Sequence, residues 1–212
     1  MVETAEDNSR PGLRERKKAQ VRDLIVETAV NQLVENGFHE TTVEAIAAEA
    51  QISSRTFFRY FASKEDAALA VLDRLDTRMV ECFAERPASE PILTGLCEAL
   101  SQAWRECWGE RVQQHHLRLF SLVNEVPSLL AANARRDAEQ RERLVDVAAL
   151  RPGFTDEWAR LAVAGFEGAF HVAVRAWRAE GGESVESLLT HMWRCVGELP
   201  RAIATAHQGD AQ

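Results

Sequence analysis

Apolar residues recur at three- and four-residue steps through most of the chain, the period of a helix with one buried face. Val21, Leu24, Ile25, Ala29 and Leu33 form the first such stripe and predict a helix over about 14–36. Gly37 ends it, because glycine accepts the left-handed conformation of a helix end. A short second helix is predicted from Thr41, where Thr41-Thr42-Val43-Glu44 has the spacing of a capping box; Ile46, Ala47 and Ala50 form its inner face. Gln51-Ile52-Ser53 reads as a turn, with Ser53 capping a third short helix over 54–61. Ser63-Lys64-Glu65-Asp66 repeats the capping pattern and opens a long fourth helix to about Glu85, with Pro87 and Pro91 marking its end. Five more helices are predicted over roughly 91–109, 111–124, 127–150, 155–179 and 183–206. Pro152-Gly153 and Gly181-Gly182 separate the last three. No Val/Ile/Thr run alternates as a strand would, so the expected fold class is all-α with about nine helices.

Composition narrows the class without naming it. Hydrophobic residues are 46% and charged residues 27% of 212, which fits a globular chain and excludes collagen-like, disordered and disulfide-scaffold classes. The longest apolar run, Ala67 to Leu72, is far short of the ~20 residues a membrane span needs, so no membrane partner is expected. Met1 to Gly12 is polar and lacks the apolar segment of a secretory leader, which makes a cytoplasmic location the expectation. Cys82, Cys97, Cys107 and Cys195 show no redox or zinc-knuckle spacing and read as reduced, buried thiols. His191 and Cys195 share a helix face, but two ligands fall short of a structural zinc site, so neither metal nor other cofactor is expected.

Charge is the first functional signal. The net charge is −8, yet Arg10 to Arg22 holds six basic residues against Glu15 alone. Gln51 to Lys64 adds Arg55, Arg59 and Lys64 with no acid, whereas the chain from Glu65 onward carries 16 basic and 23 acidic residues. The positive field is therefore local to the N-terminal third. Within it, two short helices joined by a three-residue turn, the second one basic, have the pattern of a helix-turn-helix DNA reader. Phe57 and Phe61, four apart, point inward with Ile46 and Ile52, which leaves Arg55, Thr56 and Arg59 on the outward face. Arginine can bind guanine O6 and N7 through two hydrogen bonds, discriminating by about 1–3 kcal/mol per base pair. Phe58 and Tyr60 are large aromatics beside these arginines, and a merely solvated charged helix does not account for them.

Gly37-Phe38, Thr41 to Ala47, Ile52 to Phe61 and Ser63-Lys64-Glu65 together resemble the tetracycline-repressor (TetR) family of bacterial regulators, over about residues 14–78. The resemblance implies an N-terminal arm over 1–13, a DNA-binding domain over 14–78 with its helix-turn-helix at 41–61, a ligand-binding and dimerisation domain over 79–206, and a tail over 207–212. By position it implies that Thr42 and Lys64 contact phosphate. Ser54, Arg55, Thr56 and Arg59 would enter the major groove, with Phe58 and Tyr60 touching backbone or base methyls. Arg16, Lys17 and Lys18, in the basic stretch before the first helix, would reach along the backbone or into the minor groove. Two positions depart from the family pattern. Gln51 stands where glycine is usual, so a left-handed backbone there costs roughly 1 kcal/mol. Phe58 stands where tyrosine is common, so a hydroxyl-to-phosphate bond is lost.

The resemblance further implies that the C-terminal two thirds form a homodimer interface and a pocket for a small lipophilic effector. Ala162, Gly165, Gly168, Ala169, Val172 and Ala173 on the eighth helix, and Val185, Leu188, Leu189, Met192, Val196 and Leu199 on the ninth, are stripes that could pack against a second subunit. Trp104, Trp108, His115, His116, Phe120, Phe166, Phe170 and His171 are candidate cavity walls. The Arg-Thr-Phe-Phe-Arg-Tyr-Phe segment is most similar to the branch associated with acyl-coenzyme A and other long lipophilic ligands. Arg118, Arg135 and Arg136 could then pair with ligand phosphates, but surface salt bridges are the preferred reading for them. The expected function is a repressor that binds a palindromic double-stranded DNA operator as a homodimer and is released by its ligand, the rigid fourth helix carrying the shift between domains. No Gly-rich phosphate loop or nucleophile elbow points to an enzyme. A cysteine-based redox regulator and a helical interaction protein without specific DNA binding remain the alternatives.

Overall fold

The computed structural model describes residues 12–107, 110–182 and 184–206. Among the described residues there are ten helices and no strand: α1 Leu13–Asn36, α2 Val43–Glu49, α3 Ser54–Tyr60, α4 Lys64–Leu69, α5 Leu72–Glu85, α6 Ile92–Cys107, α7 Glu110–Glu125, α8 Pro127–Ala149, α9 Asp156–Ala179 and α10 Val185–Ala206. No described helix is long and apolar enough to cross a membrane. Residues 1–11 of the expected arm over 1–13, Trp108 and the tail over 207–212 lie outside the described residues.

The tenth helix arises where one long helix was expected over 64–85. The Asp73 amide donates to Ala70 O, three residues back, instead of four back, so the helical ladder slips at Ala70-Val71 and splits the segment into α4 and α5. The chain divides into two compact units between Ala68 and Leu69. The expected boundary at residue 78 falls inside α5.

In the first unit, Ile25, Ala29 and Leu33 of α1 are fully buried, with Ile46 of α2 and Phe57 of α3 beside them in the core. Leu24 departs from the expected stripe and is 44% exposed; Val26 and Val30 take its place inside. The Gln32 side-chain amide donates to Glu49 across α1 and α2 at 2.6 Å. The start of α2 differs from the expected capping box. Thr42, not Thr41, is the N-cap and accepts from the Ala45 amide at 3.1 Å. Thr41 is buried and its hydroxyl donates to Gly37 O, closing the preceding loop. Glu44 therefore lies one position too early to reach back and complete the box.

The second unit is built from α5–α10, with α9 and α10 packed along each other, α5 on α6, and α8 on α9. Trp104, Trp177, Phe83, Leu96, Leu119, Leu129 and Leu144 are among its large buried residues. Trp177 fixes the α9–α10 corner: its indole N–H lies 3.1 Å from Ser184 O and 3.0 Å from Ser187 Oγ. Gly182, at φ +59, runs against the same ring, and a Cβ there would come within 3.3 Å of it. The α10 stripe expected at a dimer interface faces its own unit instead: Val185, Leu188, Met192 and Val196 are buried, as are Ala169 and Ala173 of α9.

Candidate nucleic-acid interface and ligand cavity

The α2–α3 pair is held by its turn. Ile52 N–H bonds to Ala47 O at 2.9 Å and Gln51 N–H to Ala48 O at 3.1 Å, so the chain reverses within three residues. Gln51 has φ +54, the single positive φ among described non-glycine residues, as its glycine-like position implied. Ser53 then caps α3, accepting from Thr56 N–H at 3.1 Å, with the Ser53 and Thr56 hydroxyls 2.9 Å apart. Phe57 is fully buried and Phe61 nearly so. These two anchors fix the rotation of α3, so Arg55, Phe58 and Arg59 stand exposed on the other side. Phe58 is 55% exposed, edge-on to Phe57. Tyr60 is half-buried, with the Arg59 guanidinium 5.2 Å from its ring centroid. Ser54 and Thr56 are half-buried on the first turn.

Arg16, Lys17 and Lys18 are exposed in the first turns of α1, inside the helix rather than before it. Thr42 is exposed, and its hydroxyl oxygen caps α2. Lys64 is differently occupied. Its ammonium donates to Phe38 O at 2.6 Å and Thr41 O at 2.8 Å and lies 4.0 Å from the Phe38 ring centroid. It ties the loop before α2 to the start of α4.

Within the second unit a cavity of about 120 Å³ opens between α5, α6, α7, α8 and α9. Trp104, Phe120, Phe166 and Phe170 meet there: Phe120 lies 6.0 Å from both Trp104 and Phe170, and Phe166 stacks on Phe170 at 6.4 Å. His171 joins the wall. Of His115 and His116 only the helical backbone is described. The lining also carries polar groups that were not anticipated: Asp76 from α5, Asn133, Asp137 and Gln140 from α8, and Glu167 from α9. Positions 133, 136, 137 and 140 share one helix face. That polar stripe is visible in the sequence, but its spacing alone suits a solvated face equally well. Arg136 forms salt bridges, the role its charge favoured over a ligand phosphate: it bonds Asp73 at 2.9 Å and Asp76 at 2.5 Å. Burial pushes Asp76 up to about 6 against the opposing pull of Arg136, and burial also raises Asp137 and Glu167.

The thiols sit away from both sites. Cys82 and Cys97 are buried, and burial raises Cys82, Cys107 and Cys97, the last to about 12. His191 has both ring nitrogens engaged, with Ser187 O at 2.8 Å and the Glu180 carboxylate at 3.2 Å.

Comparison with known proteins agrees with this geometry. Residues 25–71 match the family model for bacterial regulatory proteins, tetR family, and residues 90–199 match that of the MftR C-terminal domain. The HTH-type transcriptional regulator TcmR of Streptomyces glaucescens is 35% identical over 190 residues, spanning 84% of this chain and 82% of that protein. Two solved structures share the fold. The fatty acid degradation regulator FadR of Bacillus halodurans matches with a TM-score of 0.56 and 18% identity, covering 90% of this chain and 96% of that one. FadR of Thermus thermophilus, a TetR-family repressor solved with lauroyl-CoA, matches at 0.50 with 22% identity, covering 84% and 92%. The chain belongs to the TetR family of bacterial DNA-binding transcriptional regulators, a family of regulators and not of enzymes.

Proposed function

We propose that two copies of this chain bind a palindromic operator, repress the adjacent gene, and leave the DNA when a small lipophilic molecule enters the cavity of the second unit. The observation that carries this reading is the outward face of α3, where Arg55, Phe58 and Arg59 are exposed together on a helix anchored by Phe57 and Phe61. Arg55 and Arg59 read base edges in the major groove, with Ser54 and Thr56 beside them. Phe58 packs on thymine methyls or sugar, and Tyr60 orients Arg59 through its ring. Thr42 donates its hydroxyl to phosphate, and Arg16, Lys17 and Lys18 neutralise the flanking backbone. Lys64 acts mainly by holding the Thr41 carbonyl, which sets where Thr42 stands.

Support for the dimer comes from a second face. Trp158, Leu161, Gly165, Gly168 and Val172 alternate at three- and four-residue steps along α9, and Trp158, Leu161 and Val172 are 64%, 65% and 59% exposed. A Cβ at Gly168 would meet nothing within 4 Å, so a second helix can approach closely there. Trp193 and Ile203 extend the apolar surface onto α10. A two-fold pair of α9–α10 hairpins closes this surface and matches the symmetry of a palindrome. Ligand moves the equilibrium by its difference in affinity between the two spacings of the recognition helices, one of which suits half-sites roughly 34–36 Å apart.

The redox alternative loses support because raised thiols carry little thiolate. A gel-shift titration on a selected operator tests the main reading. Binding should fall steeply between 50 and 200 mM salt by the counterion rule, and Cys82→Ser, Cys97→Ser and Cys107→Ser should leave it intact. Salt-insensitive or sequence-blind retention would favour the interaction-protein alternative.

A further inference from the structure

The cavity has an acceptor-rich wall that a purely lipophilic ligand does not explain. Asn133 Nδ2 donates to Asp137 at 3.0 Å, and Gln140 Nε2 donates to Asp76 O at 3.0 Å. Turning either amide over would set oxygen against oxygen, so the other atom of each must be the acceptor. Those two atoms, Asn133 Oδ1 and Gln140 Oε1, are buried and have no partner. An unpaired buried carbonyl costs about 1–3 kcal/mol, so such a pair is rarely left unused. Around them stand three carboxylates, Asp76, Asp137 and Glu167, against one guanidinium, Arg136, which already serves Asp73 and Asp76. Arg141 holds Glu167 at 2.6 Å. The cavity thus offers unpaired acceptors and flat apolar contact together, the latter from Phe120, Phe166 and Phe170, which pack edge-on and stacked.

The geometry points to an effector with an aromatic body and hydrogen-bond donors on its edge, phenolic hydroxyls or an aromatic ammonium, seated between Phe166–Phe170 and the Asn133–Asp137–Gln140 face of α8. This rests on the reading of the cavity as the effector site. An acyl thioester fits it less well, since its carbonyl and phosphates bring acceptors and negative charge to a wall that has both.

Isothermal calorimetry on the full chain tests this with four probes: 2,7-dihydroxynaphthalene, its 2,7-dimethoxy analogue, proflavine and lauroyl-CoA. The dihydroxy compound or proflavine is expected to bind at least tenfold more tightly than the dimethoxy compound and than lauroyl-CoA. The order of the first two separates the phenolic from the cationic source. Asn133→Leu should erase the tenfold preference for hydroxyl over methoxy, and Asp137→Asn should weaken proflavine by about tenfold. Should a variant not fold, the hydroxyl–methoxy comparison on the parent decides alone. Equal binding of the two naphthalenes, with lauroyl-CoA tightest, overturns the donor inference and leaves the effector cavity standing. Binding of none of the four overturns both.

Discussion

Gln51 carries a backbone conformation, φ +54, that costs an L-residue about 1–2 kcal/mol. Gln51→Gly should therefore raise the stability of the first unit by about 0.5–1 kcal/mol, once the greater freedom of unfolded glycine is deducted. Denaturant titration measures it, and an unchanged or lowered midpoint would mean that the turn gains something else from the Gln side chain. Lys64 presents the opposite case. Its two charge-assisted bonds, to Phe38 O and Thr41 O, are made inside the protein. Lys64→Met should lower stability by about 1–3 kcal/mol; a loss of DNA affinity with stability intact would return it to the phosphate role its position implied. These two residues also mark how far local sequence reaches. The strain at Gln51 is legible, because it depends on one backbone position in a recognisable turn. The bonds of Lys64 are not, because their acceptors lie 23 and 26 residues away. Asp76 gives a pH signature. Its folded pKa is raised from 3.8 to about 6, so between those values the native state keeps a proton that the unfolded chain has lost. The group costs nothing below pH 3.8 and destabilises increasingly as pH rises through about 6. The stability of Asp76→Asn relative to the parent should thus improve from pH 4 to pH 7, by about 1–3 kcal/mol. A gap that stays constant with pH would place the charged form of Asp76 in a better environment than its burial implies.

Among the elements, α3 was the most legible, because aromatic anchors four apart fix its rotation and thereby expose the arginines. The stripes of α9 and α10 were read less well. Periodic apolar residues look alike whether they face their own core or a second subunit, and only burial separates Val185, Leu188, Met192 and Val196 from Trp158, Leu161 and Val172. The polar face of α8 is the converse: Asn133, Asp137 and Gln140 have the spacing of a solvated face yet line a cavity. The split of α4 from α5 left no proline or glycine at Ala70-Val71 to announce it. The exposed α9 face yields a direct test. Gly168→Arg places a bulky charge where an added Cβ meets open space, and arginine favours helix over glycine by about 0.5–1 kcal/mol. The variant should fold at least as stably as the parent and sediment as a monomer. A variant that stays dimeric would move the interface off this face.

At the scale of the whole molecule, charge and surface divide the labour. The positive residues concentrate in the N-terminal third of a chain whose net charge is −8, so attraction to DNA is local and an acidic remainder limits unspecific coating. The proposed operator contact rests on the exposed α3 face, the proposed twin subunit on the exposed α9 face, and the proposed effector on the cavity between α5 and α9. Arg59→Ala should flatten base preference at one position of each half-site at a cost of about 1–3 kcal/mol on the favoured base. The most direct measurement is selection from random duplex oligonucleotides with the full-length chain, read by sequencing at low and moderate salt. Enrichment of an inverted repeat with half-site centres about one helical turn apart, lost when Arg55 and Arg59 are both replaced by alanine, is the expected result. Enrichment of no inverted repeat, or of the same repeat by the double variant, would contradict it.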